Sequence, residues 1–302
     1  MSKRMAISIS VLMVLVLCFS LIPVSAENSA PVAENFEFQT YRNVSFGGQL
    51  SALDPDGDTL SFEITTQPVK GSIELCEDGS FVYTPDDGRK GKDYFGYKAI
   101  DAEGNRSQEA TVIIKIVKQK SAVSYADMAG SASYCSAIRL AECGAFIGKQ
   151  LGGQYYFEPQ HSLTRGEFLS MCLEITDADI LNGVVSTGFT DDGDIPEWEK
   201  SYVSTAVKCG ITKGCSSPEG VFFNANDEIS RAEAAVMLSR TLQLVDVGYF
   251  KVDGDVPAFA AQSVANLAAC DVISSTSAMT SPLTRAEAAD MLAAAMEIMD
   301  KR

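Results

Sequence analysis

LTRAEAADML, residues 283–292, stands near the C-terminus, and nearly the same phrase occurs twice before it, as LTRGEFLSMCL from Leu163 and ISRAEAAVML from Ile229. A chain that repeats a short polar phrase ahead of an apolar run is repeating a structural unit. Cys143 precedes Arg165 by 22 residues and Cys209 precedes Arg231 by 22, whereas Cys270 precedes Arg285 by 15. The first two units therefore align without a gap at a spacing of 66, which also matches Phe157 to Phe223, and the third lacks seven residues. Between units two and three, DGDIPEW (192–198) answers DGDVPAF (253–259) at a spacing of 61. Three copies of a unit of roughly 60 residues fill the C-terminal part.

Within each unit the hydrophobic period is helical. In unit two Trp198, Tyr202, Val203, Ala206 and Val207 fall on one face and Gly210 follows as a C-terminal cap. In unit three Ala288, Met291, Leu292, Ala295, Met296 and Met299 form a long apolar stripe, which predicts core packing. Each unit reads as helix, loop, helix. One such unit hardly buries both stripes alone, so the three are expected to pack together.

The repeated phrase is itself a helix start. Thr164-Arg-Gly-Glu167, Ser230-Arg-Ala-Glu233 and Thr284-Arg-Ala-Glu287 each match the capping box, in which the hydroxyl accepts from the third helical N–H and the Glu reaches back to the cap residue's own N–H. That accounts for the hydroxyl residue and the Glu, but not for the Arg. A cation in the first helical turn faces the positive end of the macrodipole at a cost of a few tenths to ~1 kcal/mol. Compensation by a protein carboxylate and compensation by an anionic ligand bound at the helix N-terminus are both open at this point.

The N-terminal part has the other period. SFEI, GSIEL, GSFVYTP, DYFGYKAI and ATVIIKI are rich in β-branched and aromatic residues and are separated by the turn signals Asp56-Gly57, Asp78-Gly79, Asp87-Gly88 and Glu103-Gly104-Asn105. These predict an antiparallel β-sandwich over residues 27–118, joined by a short polar linker, 119–124, to units spanning 125–185, 186–246 and 247–302. Residues 1–26 carry Lys3 and Arg4, an apolar stretch and Val24-Ser25-Ala26, the pattern of a secretory signal peptide. No later run reaches the ~18 apolar residues of a membrane span.

The formal charge is −16. Residues 27–118 carry 16 acids against 9 bases and residues 119–302 carry 24 against 13, so both parts are acidic and a nucleic-acid binder is excluded. Of eight Cys, Cys143, Cys209 and Cys270 hold one place in each repeat, where a small buried apolar residue is preferred to a disulfide framework. With His161 the only His, and in another unit than Cys209 and Cys215, thiolate metal binding is disfavoured.

The C-terminal part resembles three tandem S-layer homology domains, through YADM at 125, FTDD at 189, GAFIG at 144, GITKG at 210, FEP at 157, Trp198 and the three repeated phrases. The resemblance implies an all-α, pseudo-threefold helical trimer that binds an anionic, often pyruvylated, cell-wall polymer without a covalent bond. Carried over by position, Arg165, Arg231 and Arg285 would contact the polymer's carboxylate. Gly144, Gly148, Gly210 and Gly214 would let the sugar approach the backbone, with Lys213 a second cation beside the loop. Trp198 would stack on a sugar, although an aromatic on a helix face more often belongs to the core. Unit one departs from the pattern with Ala132 where the others have Trp198 and Phe259, and unit three with CDVISS in place of the glycine loop and no Phe-x-Pro. The Arg231 groove thus matches the pattern best and the Arg285 groove least.

The N-terminal part resembles bacterial cadherin-like, Ig-like modules in the order Asp-Pro-Asp-Gly-Asp (54–58), Gly-Ser-Phe-x-Tyr-x-Pro and Tyr-Phe-x-Tyr. Asp54, Asp56 and Asp58, with Asp101 at a strand end, are candidate calcium ligands, set against a solvated turn on Asp56-Gly57. The resulting expectation is a non-enzymatic surface protein held to wall glycan and displaying the sandwich. A self-assembling S-layer component is the alternative, and a glycan hydrolase a third class. Against the hydrolase, no hydrolase-sized domain remains, there is one His, and no Gly-x-Ser-x-Gly occurs.

Overall fold

A computed structural model describes residues 28–248, 255–273 and 276–301. The expected signal peptide lies outside the described residues, as do Asp253 and Gly254 of the third unit and Ser274 and Ser275 of its CDVISS loop.

The N-terminal part is a two-sheet sandwich of β1 (Val32–Ala33), β2 (Phe36–Tyr41), β3 (Phe46–Gln49), β4 (Ala52–Leu53), β5 (Ser61–Thr66), β6 (Gly71–Leu75), β7 (Ser80–Pro85), β8 (Gly91–Ile100) and β9 (Ala110–Val117). One sheet has the order β2-β9-β8-β5, the other β3-β7-β6, and β1 pairs with β4. Alternation along β9 turns Val112, Ile114 and Ile116 inward, and β7 adds Phe81 and Tyr83, which meet Phe95 and Tyr97 of β8 in the core. The buried phenols are satisfied: Tyr83 donates to Asp93 at 2.9 Å, and the Tyr97 hydroxyl reaches the carbonyls of Glu34 and Ser51, each at 2.7 Å. The expected antiparallel pattern holds except at the edge, where β2 runs parallel to β9. These two strands come from opposite ends of the domain, so no hairpin dictates their direction.

The C-terminal part holds α1 (Tyr134–Cys143), β10 (Lys149–Leu151), β11 (Gln154–Tyr156), α2 (Arg165–Glu174), α3 (Lys200–Lys208), β12 (Cys215–Ser217), β13 (Gly220–Phe222), α4 (Arg231–Thr241), α5 (Ala261–Ala268) and α6 (Arg285–Asp300). It is not all-α. Units one and two each insert a two-stranded hairpin between their helices, the first turning at Gly152 and Gly153, whose φ of 58° and 82° suit the tight hairpin turn. The seven residues missing from unit three fall in the segment where the other units carry this hairpin.

The first helix of each unit packs on the second helix of another: α3 on α2, α5 on α4, and α1 on α6, which closes the arrangement. At its centre the residues before the caps form a ring of backbone hydrogen bonds. Leu163 N–H donates to Leu283 at 3.0 Å, Leu283 to Ile229 at 2.8 Å and Ile229 to Leu163 at 2.9 Å. All three side chains are fully buried. The same core takes Ala288, Met291, Leu292 and Ala295 from the unit-three stripe and Val203 and Ala206 from that of unit two, whose Trp198 and Val207 stay exposed.

The sandwich is seated on unit one. Tyr41 donates to Glu142 at 3.0 Å, and Tyr41 and Val44 belong to the helical core. A Cβ placed on Gly47 would lie 2.7 Å from the Cβ of Ala132, so the small residue that breaks the repeat in unit one is where the sandwich touches. Val123, within the expected linker, is buried as well.

Candidate functional site

All three capping boxes form. Thr164, Ser230 and Thr284 accept from the N–H of Glu167, Glu233 and Glu287, and each Glu accepts from its own cap residue. The next donors are also taken. Arg165 and Gly166 N–H groups donate to the carbonyls of Asp227 and Ala225, those of Arg231 and Ala232 to Ser281 and Met279, and those of Arg285 and Ala286 to His161 and Pro159. The helix N-termini therefore have none of the free N–H donors that an anion site of that type requires.

The arginines find protein partners. Arg165 pairs with Glu233 at 2.7 Å, donates through Nε to the Phe223 carbonyl at 3.1 Å, and lies over the Phe223 ring. Arg231 pairs with Glu287 and donates to the Ala278 carbonyl at 3.1 Å. Arg285 takes a different partner, Glu158, at 3.0 Å, donates to the Phe157 carbonyl at 2.7 Å, and stacks on Phe146 with its guanidinium carbon 4.8 Å from the ring centre. The cap Glu of one unit is thus the counter-ion for the Arg of another, a second role that the capping box conceals in the sequence. The Arg165 and Arg285 side chains are only 8 % and 4 % exposed, against 27 % for Arg231.

Arg231 borders an open cavity of about 260 Å³, between the start of α4, α6 and the loop before α6. Glu287, Asp290 and Met291 form the α6 wall, and Ile273 and Met279 the loop wall. Burial pushes the Asp290 carboxyl up, against the opposing hydrogen bonds of Ser136 and Ser133, the latter donating at 2.7 Å. Asp290 and the apolar wall carried no sequence signal as site residues, because they follow from which helices meet.

The loop glycines divide into two kinds. Gly144 and Gly210 are left-handed residues following α1 and the α3 cap, with open space where a Cβ would stand. Gly148 and Gly214 are closed in by protein: added Cβ atoms would lie 2.5 Å from the Tyr156 carbonyl and 2.5 Å from the Phe189 ring. At Gly148 and Gly214 each unit's own hairpin or leading aromatic thus fills the space a side chain would need, which accounts for glycine there. Lys213 is exposed. Trp198 is exposed too, at 56 %, as is its counterpart Phe259 at 64 %, contrary to the preference for a core aromatic. The thiols overturn their expectation as well. Cys143, Cys209 and Cys270 are exposed, because the ends of the first helices project from the core.

In the sandwich, Asp54, Asp58 and Asp101 bring carboxylate oxygens within 4.8 Å of one another. Asp54 Oδ2 is buried without a hydrogen-bond partner, while Asp54 Oδ1 accepts from the N–H groups of Asp56 and Asp58. Asp101 accepts from Glu103 and Asn105 N–H and from the Asn28 and Asn105 amides. Asp56 does not join this group; its carboxylate accepts from the Ser29 N–H at 2.7 Å. An orphaned buried oxygen beside two further carboxylates fits a hard divalent cation, with part of its shell left to other oxygens.

Comparison with known proteins bears on both parts. Residues 28–118 match the bacterial cadherin-like domain, and residues 188–235 match the S-layer homology domain. The chain thus joins a bacterial cadherin-like domain to a helical region containing an S-layer homology domain. Over 158 residues it is 31 % identical to the Surface-layer 125 kDa protein of Lysinibacillus sphaericus, covering 48 % of this chain and 13 % of that protein's length. Solved structures similar to it include the SrpA adhesin of Streptococcus sanguinis (19 % identity, 34 % of this chain, 64 % of that one, TM-score 0.27). Human protocadherin-24 EC1-2 is another (18 % identity, 30 % and 53 %, TM-score 0.26). No helix among the described residues is long and apolar enough to cross a membrane.

Proposed function

We propose that this is a cell-surface protein, held at the cell wall by a pseudo-threefold trimer of S-layer homology units that binds an anionic wall polymer, with the cadherin-like domain displayed as a spacer or adhesive module. Support comes from the domain matches, the surface-layer relative, and one feature of geometry: Arg231 is the repeat arginine left partly open at a cavity. A guanidinium has five N–H donors, so its bonds to Glu287 and Ala278 leave others for a ligand carboxylate. The remaining repeat arginines, Arg165 and Arg285, serve as internal cross-braces. Among the glycines, Gly144 and Gly210 have open space beside them for a sugar, with Lys213 and Trp198 as exposed accessory contacts. The reading is non-enzymatic, since the matching domains are of surface-layer and cadherin-like kinds; its check is that wall fragments release no sugar on incubation with the protein.

The experiment is co-sedimentation with purified wall sacculi before and after chemical removal of the secondary polymer. Arg231→Ala is expected to weaken binding about 10- to 100-fold, the value of a charge-assisted hydrogen bond, while leaving the fold melting within a few degrees. Undiminished binding by this variant would remove Arg231 from the site.

A second reading concerns the sandwich. The orphaned oxygen of Asp54 favours calcium held by Asp54, Asp58 and Asp101, with Asp56 outside the first set of ligands. Titration calorimetry of the whole chain is expected to show calcium binding that Asp54→Asn weakens at least about tenfold. Absence of heat at millimolar calcium with the native protein would end this reading.

A further inference from the structure

Gly166 breaks the repeated phrase. At the second helical position the other units have Ala232 and Ala286, yet unit one has glycine at a residue whose φ is not positive. The reason is space. A Cβ on Gly166 would lie 1.7 Å from Glu199 Oε2 and 2.3 Å from its carboxyl carbon. Glu199 ends the turn Glu197–Glu199 that leads into α3, the helix packed on α2. It is 3 % exposed, and its Oε2 is buried with no hydrogen-bond partner. The corresponding residues of the other two helix pairs are the neutral Ser133 and Ala260.

The charged groups around this carboxyl do not neutralise it. On α2 the facing group is Glu167, itself an acid, whose Oε2 accepts from Thr164 N–H. By the pattern of Arg165 with Glu233 and Arg231 with Glu287, Glu167 would be paired with Arg285, but Arg285 goes to Glu158 instead. On its own element, Lys200 is engaged with Asp192 at 2.8 Å, and Glu197 is exposed. Among the described residues, neither Glu167 nor Glu199 has an ion pair.

We propose that the Glu199 carboxyl, seated in the space that Gly166 leaves open, latches α3 onto the first turn of α2, closed while Glu199 holds a proton and loosened when it ionises. Burial first, and then Glu167, push the Glu199 carboxyl up from 4.5 to about 7. Its folded value lies above its unfolded one, so the folded chain keeps a proton that the unfolded chain has lost. The stabilisation is complete below about pH 4.5 and is lost as pH rises to about 7, with no further loss above it. The first turn of α2 also carries Arg165, so the latch tunes the contact between units one and two. The consequence for wall attachment rests on the function proposed above, whereas the latch itself is a property of the fold.

The test is thermal unfolding of the full chain from pH 5 to pH 8, for the native protein and for Glu199→Gln. The native helical transition is expected to fall by on the order of 5 °C more than that of Glu199→Gln over this range. Parallel curves would overturn the latch. Should Glu199→Gln fold poorly, the double change Gly166→Ala, Glu199→Ala recreates the packing of Ala260 over Ala232. It is expected to melt without the pH-dependent component, and retention of that component would equally overturn the proposal. Sacculus co-sedimentation at pH 5.5 and pH 8 runs alongside. Absence of binding at both values with the pH-dependent melting intact would sink the attachment reading and leave the latch standing.

Discussion

Glu233→Ala is expected to destabilise the helical part by about 3–5 kcal/mol, because it leaves the Arg165 guanidinium buried without its counter-ion. Arg165 is 8 % exposed, and its remaining bond is to a neutral carbonyl, that of Phe223. The same substitution removes the reciprocal half of the Ser230 capping box, a further loss of about 1 kcal/mol. For a domain of this size, that lowers the melting temperature by about 8–24 °C. Glu233→Gln separates the two roles, since an amide still accepts from Ser230 N–H but carries no charge. Glu287→Ala is the comparison. Arg231 is 27 % exposed, so water solvates the charge left behind, and a loss about half as large is expected. Equal losses at 233 and 287 would contradict the difference in burial on which the assignment of Arg231 as the ligand-facing arginine rests.

Leu163→Ala is the second large effect, at about 2–5 kcal/mol. Leu163 is fully buried, and its N–H and carbonyl bond to Leu283 and Ile229 in the central ring. The backbone ring survives the substitution, but a cavity opens in the buried core where the three segments of the ring converge. Leu173, also buried but at the far end of α2, is the control for ordinary core burial. If Leu163→Ala costs no more than Leu173→Ala on chemical denaturation, the ring is not a special point of the fold.

These expectations change how loss of wall binding is interpreted. A variant in which Arg165, Arg231 and Arg285 are all replaced removes two buried internal braces together with the cavity arginine, so unfolding and loss of contact coincide. Arg231→Ala alone keeps them apart.

Much of the architecture was legible in the chain. The change of hydrophobic period near residue 119 separated strands from helices, because one-sided burial imposes period two on a strand and 3.6 on a helix. The three capping boxes were legible because their partners lie three residues apart. What was misjudged depended on distant contacts. The hairpins were missed because three-residue strands carry too little pattern, and the parallel β2 because its partner is the domain's last strand. Cys143, Cys209 and Cys270 were placed inside on composition, though the helix ends that carry them face solvent.

Local sequence therefore marked where α2, α4 and α6 begin and that strands precede the helices, since these follow from bonds closed within a few residues and from the period of burial. Tertiary structure alone decided which partners the arginines meet within the chain. Physics at the level of one helix left a protein carboxylate and an anionic ligand in balance, and the carboxylates that the arginines do meet, Glu233, Glu287 and Glu158, lie in other units, out of reach of local sequence. It also decided that Gly166 makes room for a buried acid and that Ala132 makes room for the sandwich, because steric room is a property of neighbours that only folding brings together.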